Sequence, residues 1–228
     1  MKVTLFIPTL NEIEGVKAIM PRVKKEWVDE IIVMDGHSTD GTREYFEENG
    51  YTVHLQKAPG TINAWWEAFE MSTGDVIIPF SPDNNSIPEK IPELIHKMKE
   101  GYDMVIVSRY KDGAKSDDDT RLTAFGNSLF TWAINLLFDG HYTDTLVMYR
   151  AFKKELLKTL GFDQKRELLF EILISIRCAK RKLKVAEIPG DEPNNIGRTD
   201  SRAHPGLKYK LRSGLIMVFY VIREFIAG

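Results

Sequence analysis

Short hydrophobic runs alternate with helix-patterned segments along the first half of the chain. The runs are continuously apolar, which is typical of strands buried on both faces of a parallel sheet. Strand–helix units at this spacing predict right-handed crossovers and a mostly parallel α/β sheet with helices on both faces. The predicted strands are 3–8, 30–34, 51–55, 75–80 and 103–108, and the predicted helices are 13–25, 42–49, 62–72 and 88–100.

Longer helices and polar loops dominate the second half. An extended segment at 144–152 is predicted to cross the sheet, and a further strand is predicted at 184–189. No internal repeat or low-complexity tract divides the chain, so we predict a single domain over 1–228. The predicted helices are 121–138, 154–160, 168–182 and 208–226, and the predicted loops are the polar 111–120 and the basic 191–207.

Polar clusters follow four of the predicted strands, at 9–12, 35–40, 81–85 and 108–110. Ligands of such sheets bind outside the carboxyl ends of the strands, so the clusters predict one site at that edge. Helix caps and turns explain Asn11, Gly36, Gly41 and Thr42 equally well. They explain Asp35 and Asp83 less well, because each carboxylate comes directly after a buried strand.

Composition narrows the class of protein. The 228 residues are 43% hydrophobic, and 31 Lys and Arg against 33 Asp and Glu give a net charge of −2, which disfavours a general nucleic-acid-binding surface. The single cysteine, Cys178, excludes an internal disulfide and a Cys-rich zinc site. We recognise no signal peptide and no membrane-spanning run, so we expect a cytoplasmic protein, with peripheral attachment to the inner face of the membrane as the alternative.

Six motifs, in order, resemble the family 2 glycosyltransferases, and among them the dolichol-phosphate mannosyltransferase-like group. The resemblance covers about residues 3–202 and implies a GT-A fold with a Rossmann-like sheet, a nucleoside-diphosphate-sugar donor, and Mg²⁺ or Mn²⁺. On this basis 1–110 would bind the donor, 111–207 would face the acceptor, and 208–228 would form a C-terminal amphipathic helix. The motifs are IPTLNE (7–12), VMDGHSTDGT (33–42), TGDVIIPFSPDNN (73–85), SRY (108–110), DTLVMYR (144–150) and AEIP (186–189).

The resemblance also implies roles for matching residues. Asp35 would hydrogen-bond the base or ribose, with Ser38 beside it, and Glu12 would lie near the ribose. The metal would be held by Asp83, with Asn85 as a further ligand. The nucleotide pocket would be lined by Pro8, Thr9, Asn11 and Glu12, and the phosphates would lie near Arg109 and Arg150.

The sequence departs from the family pattern at Ser81, which replaces the first acid of Asp-x-Asp. Hard cations prefer carboxylate oxygens, so we expect weaker metal binding or a larger share for Asp83 and the diphosphate. This departure keeps a degenerate nucleotide-sugar-binding protein as an alternative. A sugar nucleotidyltransferase is a second alternative, although it would need a Gly-rich, basic loop where this chain has residues 9–12.

The acceptor is expected to be a polyprenyl phosphate or a cell-envelope glycan. A sugar hydroxyl needs a general base, for which Asp144 is the candidate, whereas a lipid phosphate needs cationic groups. Arg198 and Arg202 would close over the phosphates, and Arg150, inside an apolar segment, requires an anionic partner. The last helix begins with Lys208, Lys210 and Arg212, and its apolar face is expected to pack on the sheet, on a second subunit, or on anionic lipid.

Overall fold

A computed structural model of the chain describes residues 1–162, 167–197 and 207–227. Its seven strands form one sheet in the order β3-β2-β1-β4-β6-β5-β7. All pairings are parallel except those of β6, which runs antiparallel to both β4 and β5. The mostly parallel sheet predicted from the sequence is therefore confirmed. The strands are β1 (Val3–Thr9), β2 (Glu30–Asp35), β3 (Val53–Leu55), β4 (Val76–Pro79), β5 (Met104–Ser108), β6 (Arg150–Lys153) and β7 (Val185–Pro189).

Eight α-helices lie within the described ranges, and all correspond to predicted ones. The first is shorter than predicted: it ends at Ile19 and continues as separate 3-10 turns at Met20–Arg22 and Lys25–Trp27. Pro21 explains the break, because proline has no N–H to continue the helical ladder. The helices are α1 (Ile13–Ile19), α2 (Thr42–Glu48), α3 (Thr61–Met71), α4 (Lys90–Lys99), α5 (Arg121–Phe138), α6 (Leu156–Thr159), α7 (Phe170–Lys180) and α8 (Leu207–Ile226).

Strand β6 is the one antiparallel element, inserted between two parallel blocks of strands. The predicted extended segment at 144–152 does cross the sheet, but only Arg150–Lys153 is strand. The preceding residues form an irregular segment that carries Asp144 to the end of β5, where it meets Arg109.

Aromatic side chains fill the core on one face of the sheet. Trp65 and Phe69 of α3 contact Phe170 of α7, with ring centroids 5.3 and 5.4 Å apart. Trp66 is also buried, so both tryptophans belong to the core. Burial raises the pKa of the Cys178 thiol to about 12. No described helix combines the length and the apolar character needed to cross a membrane.

Candidate functional site

The carboxyl ends of β1 and β2 place Thr9 directly opposite Asp35 in the parallel register. Asp35 is fully buried, and its carboxylate accepts hydrogen bonds from the Ser38 backbone N–H at 2.9 Å and the Ser38 hydroxyl at 2.5 Å. These bonds fold the residues after β2 back against the strand end. The arrangement brings together the predicted pair, with Asp35 holding Ser38 in place.

The turn after β1 is tied to the loop after β2. Asn11 has a left-handed φ of 53°, and its backbone N–H donates to the Ser38 hydroxyl at 2.9 Å. One residue later, the Glu12 N–H donates to the Thr42 hydroxyl at 2.9 Å, and Thr42 donates to Asp40 at 2.6 Å. Neither Asn11 nor Thr42 caps its helix, because the N-cap positions of α1 and α2 are Glu12 and Gly41. Asn11 lies in the turn and Thr42 begins α2, and their bonds fix the shape of the predicted nucleotide pocket.

Thr9 places a buried hydroxyl at the end of β1. Its side chain is 5% exposed, and among the described residues its Oγ1 has no hydrogen-bond partner. A buried hydroxyl without a partner costs about 1–3 kcal/mol. Glu12 is also buried, and Pro8 is half-buried beside it. An incoming polar group at this edge would satisfy the Thr9 hydroxyl.

The turn after β4 carries the predicted metal ligands. Asp83 is buried, and its carboxylate accepts the Asn85 backbone N–H at 3.1 Å. The Asn85 amide donates to the Pro193 carbonyl and accepts from the Asn195 amide, both at 3.1 Å. Asn85 therefore ties this turn to the 193–196 loop, and its amide oxygen already accepts one hydrogen bond.

Gly15 lets α1 approach that turn closely. A Cβ at this position would lie 2.8 Å from the Pro82 carbonyl oxygen and 3.1 Å from that of Ile196. The Ile196 N–H in turn donates to the Asp83 carbonyl oxygen at 2.8 Å. Helix α1, the Asp83 turn and the late loop thus form one packed unit.

Asp83 is the carboxylate among the predicted metal ligands. No group of three or more His, Cys, Asp or Glu side chains that could hold an ion occurs within the described ranges. Mg²⁺ is commonly bound by one or two carboxylates together with substrate phosphates and waters. One buried carboxylate at a strand end fits that kind of shared site and does not form a complete one by itself.

Arg109 and Asp144 form a two-bond ion pair at the end of β5. The Arg109 Nε and Nη2 donate to the two Asp144 oxygens at 2.6 and 3.0 Å. On its other side, Nη1 donates to Glu192 at 3.0 Å, and Asp119 lies 3.8 Å away. Burial opposes the charge, but the bonds to Asp144 and the nearby Glu192 outweigh it and raise the pKa of Arg109.

Asp144 is fully buried in this pair, whereas Arg109 and Glu192 are 11% and 14% exposed. Asp144, which was predicted to be a general base, therefore orients the guanidinium of Arg109, which was predicted to lie near the phosphates. The roles of Glu192 and Asp119 were missed from the sequence. The signal available was the presence of acids in the two loops at 111–120 and 191–207.

Arg150 is fully buried on β6, away from solvent. Its guanidinium donates to the Val147 and Glu171 carbonyl oxygens at 3.1 and 3.0 Å and to the Ser175 hydroxyl at 3.0 Å. Burial lowers its pKa. These hydrogen bonds to oxygen go to carbonyls and a hydroxyl, whereas the Glu171 and Asp144 carboxylates favour its charge electrostatically. This buried geometry argues against a catalytic role in contacting phosphate.

Two predicted features depend on side chains that the structure does not describe. Arg198 and Arg202 lie in the segment 198–206, outside the described residues, so their closing over the phosphates stays a prediction. The side chains of Lys208 and Lys210 are likewise not described, whereas Arg212 is exposed on α8.

Comparison with known proteins gives consistent results. The family model described as glycosyl transferase family 2 matches residues 4–161. Glycosyltransferase AglJ of Haloferax volcanii is 30% identical over 82% of this chain and 61% of its own length. The dolichol-phosphate mannosyltransferase of Pyrococcus furiosus is also 30% identical, over 83% of this chain and 56% of its own length. This chain therefore spans about 60% of the length of these two relatives.

A relative of more similar length is the undecaprenyl-phosphate mannosyltransferase of Micrococcus luteus. It is 24% identical over 83% of this chain and 82% of its own length. Among solved structures, glucosyl-3-phosphoglycerate synthase from Mycobacterium tuberculosis, bound to Mn²⁺, uridine diphosphate and phosphoglyceric acid, superposes with a TM-score of 0.74 at 20% identity, covering 98% of this chain and 78% of that one. This likeness confirms the predicted GT-A fold.

Proposed function

We propose that this chain, which belongs to glycosyltransferase family 2, transfers a sugar from a nucleoside-diphosphate sugar to a polyprenyl phosphate. The donor-binding part of this proposal rests on polar groups that lie at the ends of three neighbouring strands. Asp35 ends β2, Thr9 ends β1, and Asp83 follows β4, and all three are buried. Charged and polar groups buried together at a strand edge are unusual unless they serve a ligand.

Thr9 and Asp35 would bind the nucleoside. The unpartnered Thr9 hydroxyl can exchange hydrogen bonds with the base or ribose, and the Asp35 carboxylate is held in a fixed orientation by Ser38. Glu12, one turn away, would lie at the ribose. Uridine diphosphate and Mn²⁺ bind the M. tuberculosis synthase that shares this fold, which supports a donor of this class.

The diphosphate would be held beside Asp83. A bound Mg²⁺ or Mn²⁺ would neutralise the negative charge that the diphosphate gains as the sugar leaves. Asp83 would bind that ion, and the turn at 83–85 is held rigidly by Asn85 and the late loop. Ser81 contributes no carboxylate, so the donor itself would complete the site.

The Arg109–Asp144 pair favours an anionic acceptor. A sugar hydroxyl must lose a proton to a general base during attack, and Asp144 is committed to Arg109 through both oxygens. A phosphate acceptor is already an anion and needs a cation instead. Two relatives are named for dolichol phosphate and undecaprenyl phosphate, which is the acceptor chemistry proposed here.

Arg109 would provide that cation through its Nη1 side. Asp144 accepts from Nε and Nη2 of the guanidinium, and Glu192 accepts from Nη1. Arg109 and Glu192 are both partly exposed. An acceptor phosphate would compete with the Glu192 carboxylate for Nη1, because the two anions repel each other. Asp144 would keep the guanidinium oriented during this exchange.

The first test is a binding panel. UDP-, GDP- and CDP-sugars, each with and without Mn²⁺, are added to the protein, and thermal unfolding is followed. The proposal predicts that one nucleotide class raises the unfolding temperature, with a larger shift when Mn²⁺ is present. Donor binding without any sugar transfer would favour a degenerate nucleotide-sugar-binding protein, and formation of a nucleotide sugar from a sugar phosphate would favour a nucleotidyltransferase.

A further inference from the structure

Glu187 belongs to the motif at 186–189, to which the proposed function gives no role. It lies on the edge strand β7, directly opposite Ile106 of β5 in the parallel register. Ser108 ends β5 two residues further along and directly precedes Arg109. Two strand residues span roughly 7 Å, which a glutamate side chain can cover in large part. Glu187 therefore lies within reach of the strand end where Arg109 meets Asp144.

Both oxygens of the Glu187 carboxylate accept hydrogen bonds from the segment that carries Asp144. The Thr143 backbone N–H lies 2.9 Å from each oxygen, and the Thr143 hydroxyl donates to Oε2 at 2.7 Å. The Asp144 backbone N–H donates to Oε1 at 3.1 Å. One side chain of β7 thus binds two consecutive residues that precede it by 44 and 43 positions.

The segment at 142–146 depends on side chains because its backbone is irregular. Each of its five backbone N–H groups donates to a side-chain oxygen. In helices and strands the backbone itself satisfies these groups, whereas here the side-chain acceptors determine where the chain runs. The acceptors are Asn135 for Tyr142, Glu187 for Thr143 and Asp144, Thr131 for Thr145, and Asp144 for Leu146.

Glu187 differs from the acceptors on α5 in charge and in position. Asn135 and Thr131 are neutral and lie on that helix, whereas Glu187 is an acid on the sheet. Hydrogen bonds to an ionised acceptor are roughly twice as strong as those between neutral groups. Glu187 is therefore the stronger of the supports that hold the segment, and it acts on the residue that matters for Arg109.

Thr143 also ties the segment to the last residue of β5. Its hydroxyl oxygen lies 2.5 Å from that of Ser108. The single hydroxyl proton of Thr143 points to Glu187, so Ser108 must be the donor of this second bond. The Ser108 oxygen in turn accepts the Tyr110 backbone N–H at 3.2 Å. Glu187 therefore ends a directed chain of hydrogen bonds that includes both sequence neighbours of Arg109.

We infer that Glu187 is a positioning residue, which holds Asp144 where that carboxylate orients Arg109. The Asp144 side chain can bind Nε and Nη2 of Arg109 only while its backbone stays at the end of β5, and Glu187 accepts the N–H of that backbone. The placement of the pair is independent of the reaction. Its consequence for the acceptor rests on the proposed function, in which Arg109 binds the acceptor phosphate.

A second glutamate provides a matched control at the opposite end of the strands. Glu30 begins β2 and accepts from the Thr73 backbone N–H at 2.8 Å and from the Thr73 hydroxyl at 2.9 Å. It also accepts from the Thr4 hydroxyl at 2.5 Å. Glu30 thus repeats the contact of a glutamate with a threonine N–H and hydroxyl, at the amino ends of the parallel strands and away from Arg109.

The first test needs no substrate and follows the Arg109 Nε–H by NMR in the full chain. The resonance is identified by its loss in Arg109→Lys, and exchange of this proton with water reports its bond to Asp144. Glu187→Gln should speed the exchange about tenfold, because glutamine has one acceptor oxygen and its NH2 group would face an N–H donor. Glu30→Gln should lower the unfolding temperature to a similar extent and leave the exchange unchanged.

The second test is transfer of sugar to polyprenyl phosphate. Glu187→Gln should raise the acceptor KM about tenfold, because Arg109 is less well oriented, and should leave the donor Kd unchanged. Thr143→Ser keeps the hydroxyl and should behave as the wild type. Thr143→Val removes the hydroxyl and keeps the N–H, so its acceptor KM should lie between those of the wild type and Glu187→Gln. The two Thr143 variants carry the test if Glu187→Gln does not fold.

The inference is overturned if Glu187→Gln and Thr143→Val change the Nε–H exchange, or the acceptor KM, no more than Glu30→Gln does. Glu187 would then be a structural contact only. If the wild type transfers no sugar to polyprenyl phosphate while the exchange responds as predicted, the proposed function falls and the positioning role stands. If transfer occurs and neither readout responds, only the positioning role falls.

Discussion

The Arg109 guanidinium holds both carboxylate oxygens of Asp144, at 2.6 and 3.0 Å, across 35 residues of sequence. The pair joins the end of β5 to the irregular segment before β6, and Asn127 of α5 also contacts it. One side of the guanidinium remains directed at Glu192 and toward solvent. We propose that Asp144 orients the Arg109 guanidinium so that this cation can bind an acceptor phosphate.

Replacing Asp144 tests the pair directly. Asp144→Asn leaves the Arg109 charge without its principal partner, which should lower the free energy of unfolding by about 3 kcal/mol. Arg109→Gln combined with Asp144→Asn should cost less than the sum of the two single changes, with a coupling above about 1 kcal/mol. Denaturant unfolding of the four proteins measures this. Strict additivity would mean that the observed pair contributes no stability.

Glu192 competes with the proposed acceptor for Arg109. Glu192→Gln removes the anion on the Nη1 side and leaves Asp144 in place, so the KM for polyprenyl phosphate should fall while the KM for the donor stays unchanged. Glu89→Gln, which removes a carboxylate from a surface pair with Arg22, is the control. A rise in the acceptor KM would show that Glu192 assists the acceptor rather than competing with it.

Asp83 should control metal-dependent donor binding. Asp83→Ala is expected to abolish the Mn²⁺-dependent part of nucleotide binding in calorimetry. The protein should still fold, with a lower unfolding temperature because the Asn85 N–H loses its acceptor. Asp75→Ala, at the start of β4 and 69% exposed, should bind as the wild type does. Mn²⁺ alone should bind neither protein measurably, because one carboxylate does not complete a site. Ser81→Asp should tighten metal binding; weaker binding would place position 81 away from the ion.

Arg150 should be structural. Arg150→Lys keeps the charge but loses the planar set of donors that reaches the Val147 and Glu171 carbonyls and the Ser175 hydroxyl. The expected loss is about 2 kcal/mol or more in the free energy of unfolding. The Kd for the donor should stay the same in the fraction that is folded. A weaker donor Kd at unchanged stability would restore the phosphate contact expected from the sequence.

The sequence predicted the strands well because a strand buried on both faces leaves a continuous apolar run, as in β1 and β4. It was less accurate where one residue stops a helix, as Pro21 does. The contact between Asp35 and Ser38 was also predictable, because the two residues lie three positions apart. Their placement depends on turns a few residues long.

Partners distant in sequence were not predictable. Nothing local shows that Asp144 will meet Arg109, or that the Arg150 guanidinium will donate to carbonyls of the preceding turn and α7 rather than to a carboxylate. The exposed apolar stripe of α5 is similar, since periodicity reveals an apolar stripe but not which side of the helix packs on the domain. Three-dimensional packing decides each of these.

The most direct measurement is transfer of a radiolabelled sugar, from the nucleotide donor chosen by the binding panel, to a polyprenyl phosphate and to the matching polyprenol. With Mn²⁺ present, we predict labelled product from the phosphate and none from the alcohol, and no product with Asp83→Ala. Equal transfer to the polyprenol, or transfer to a soluble sugar with none to the phosphate, would contradict the account of Arg109 as the cation for an anionic acceptor.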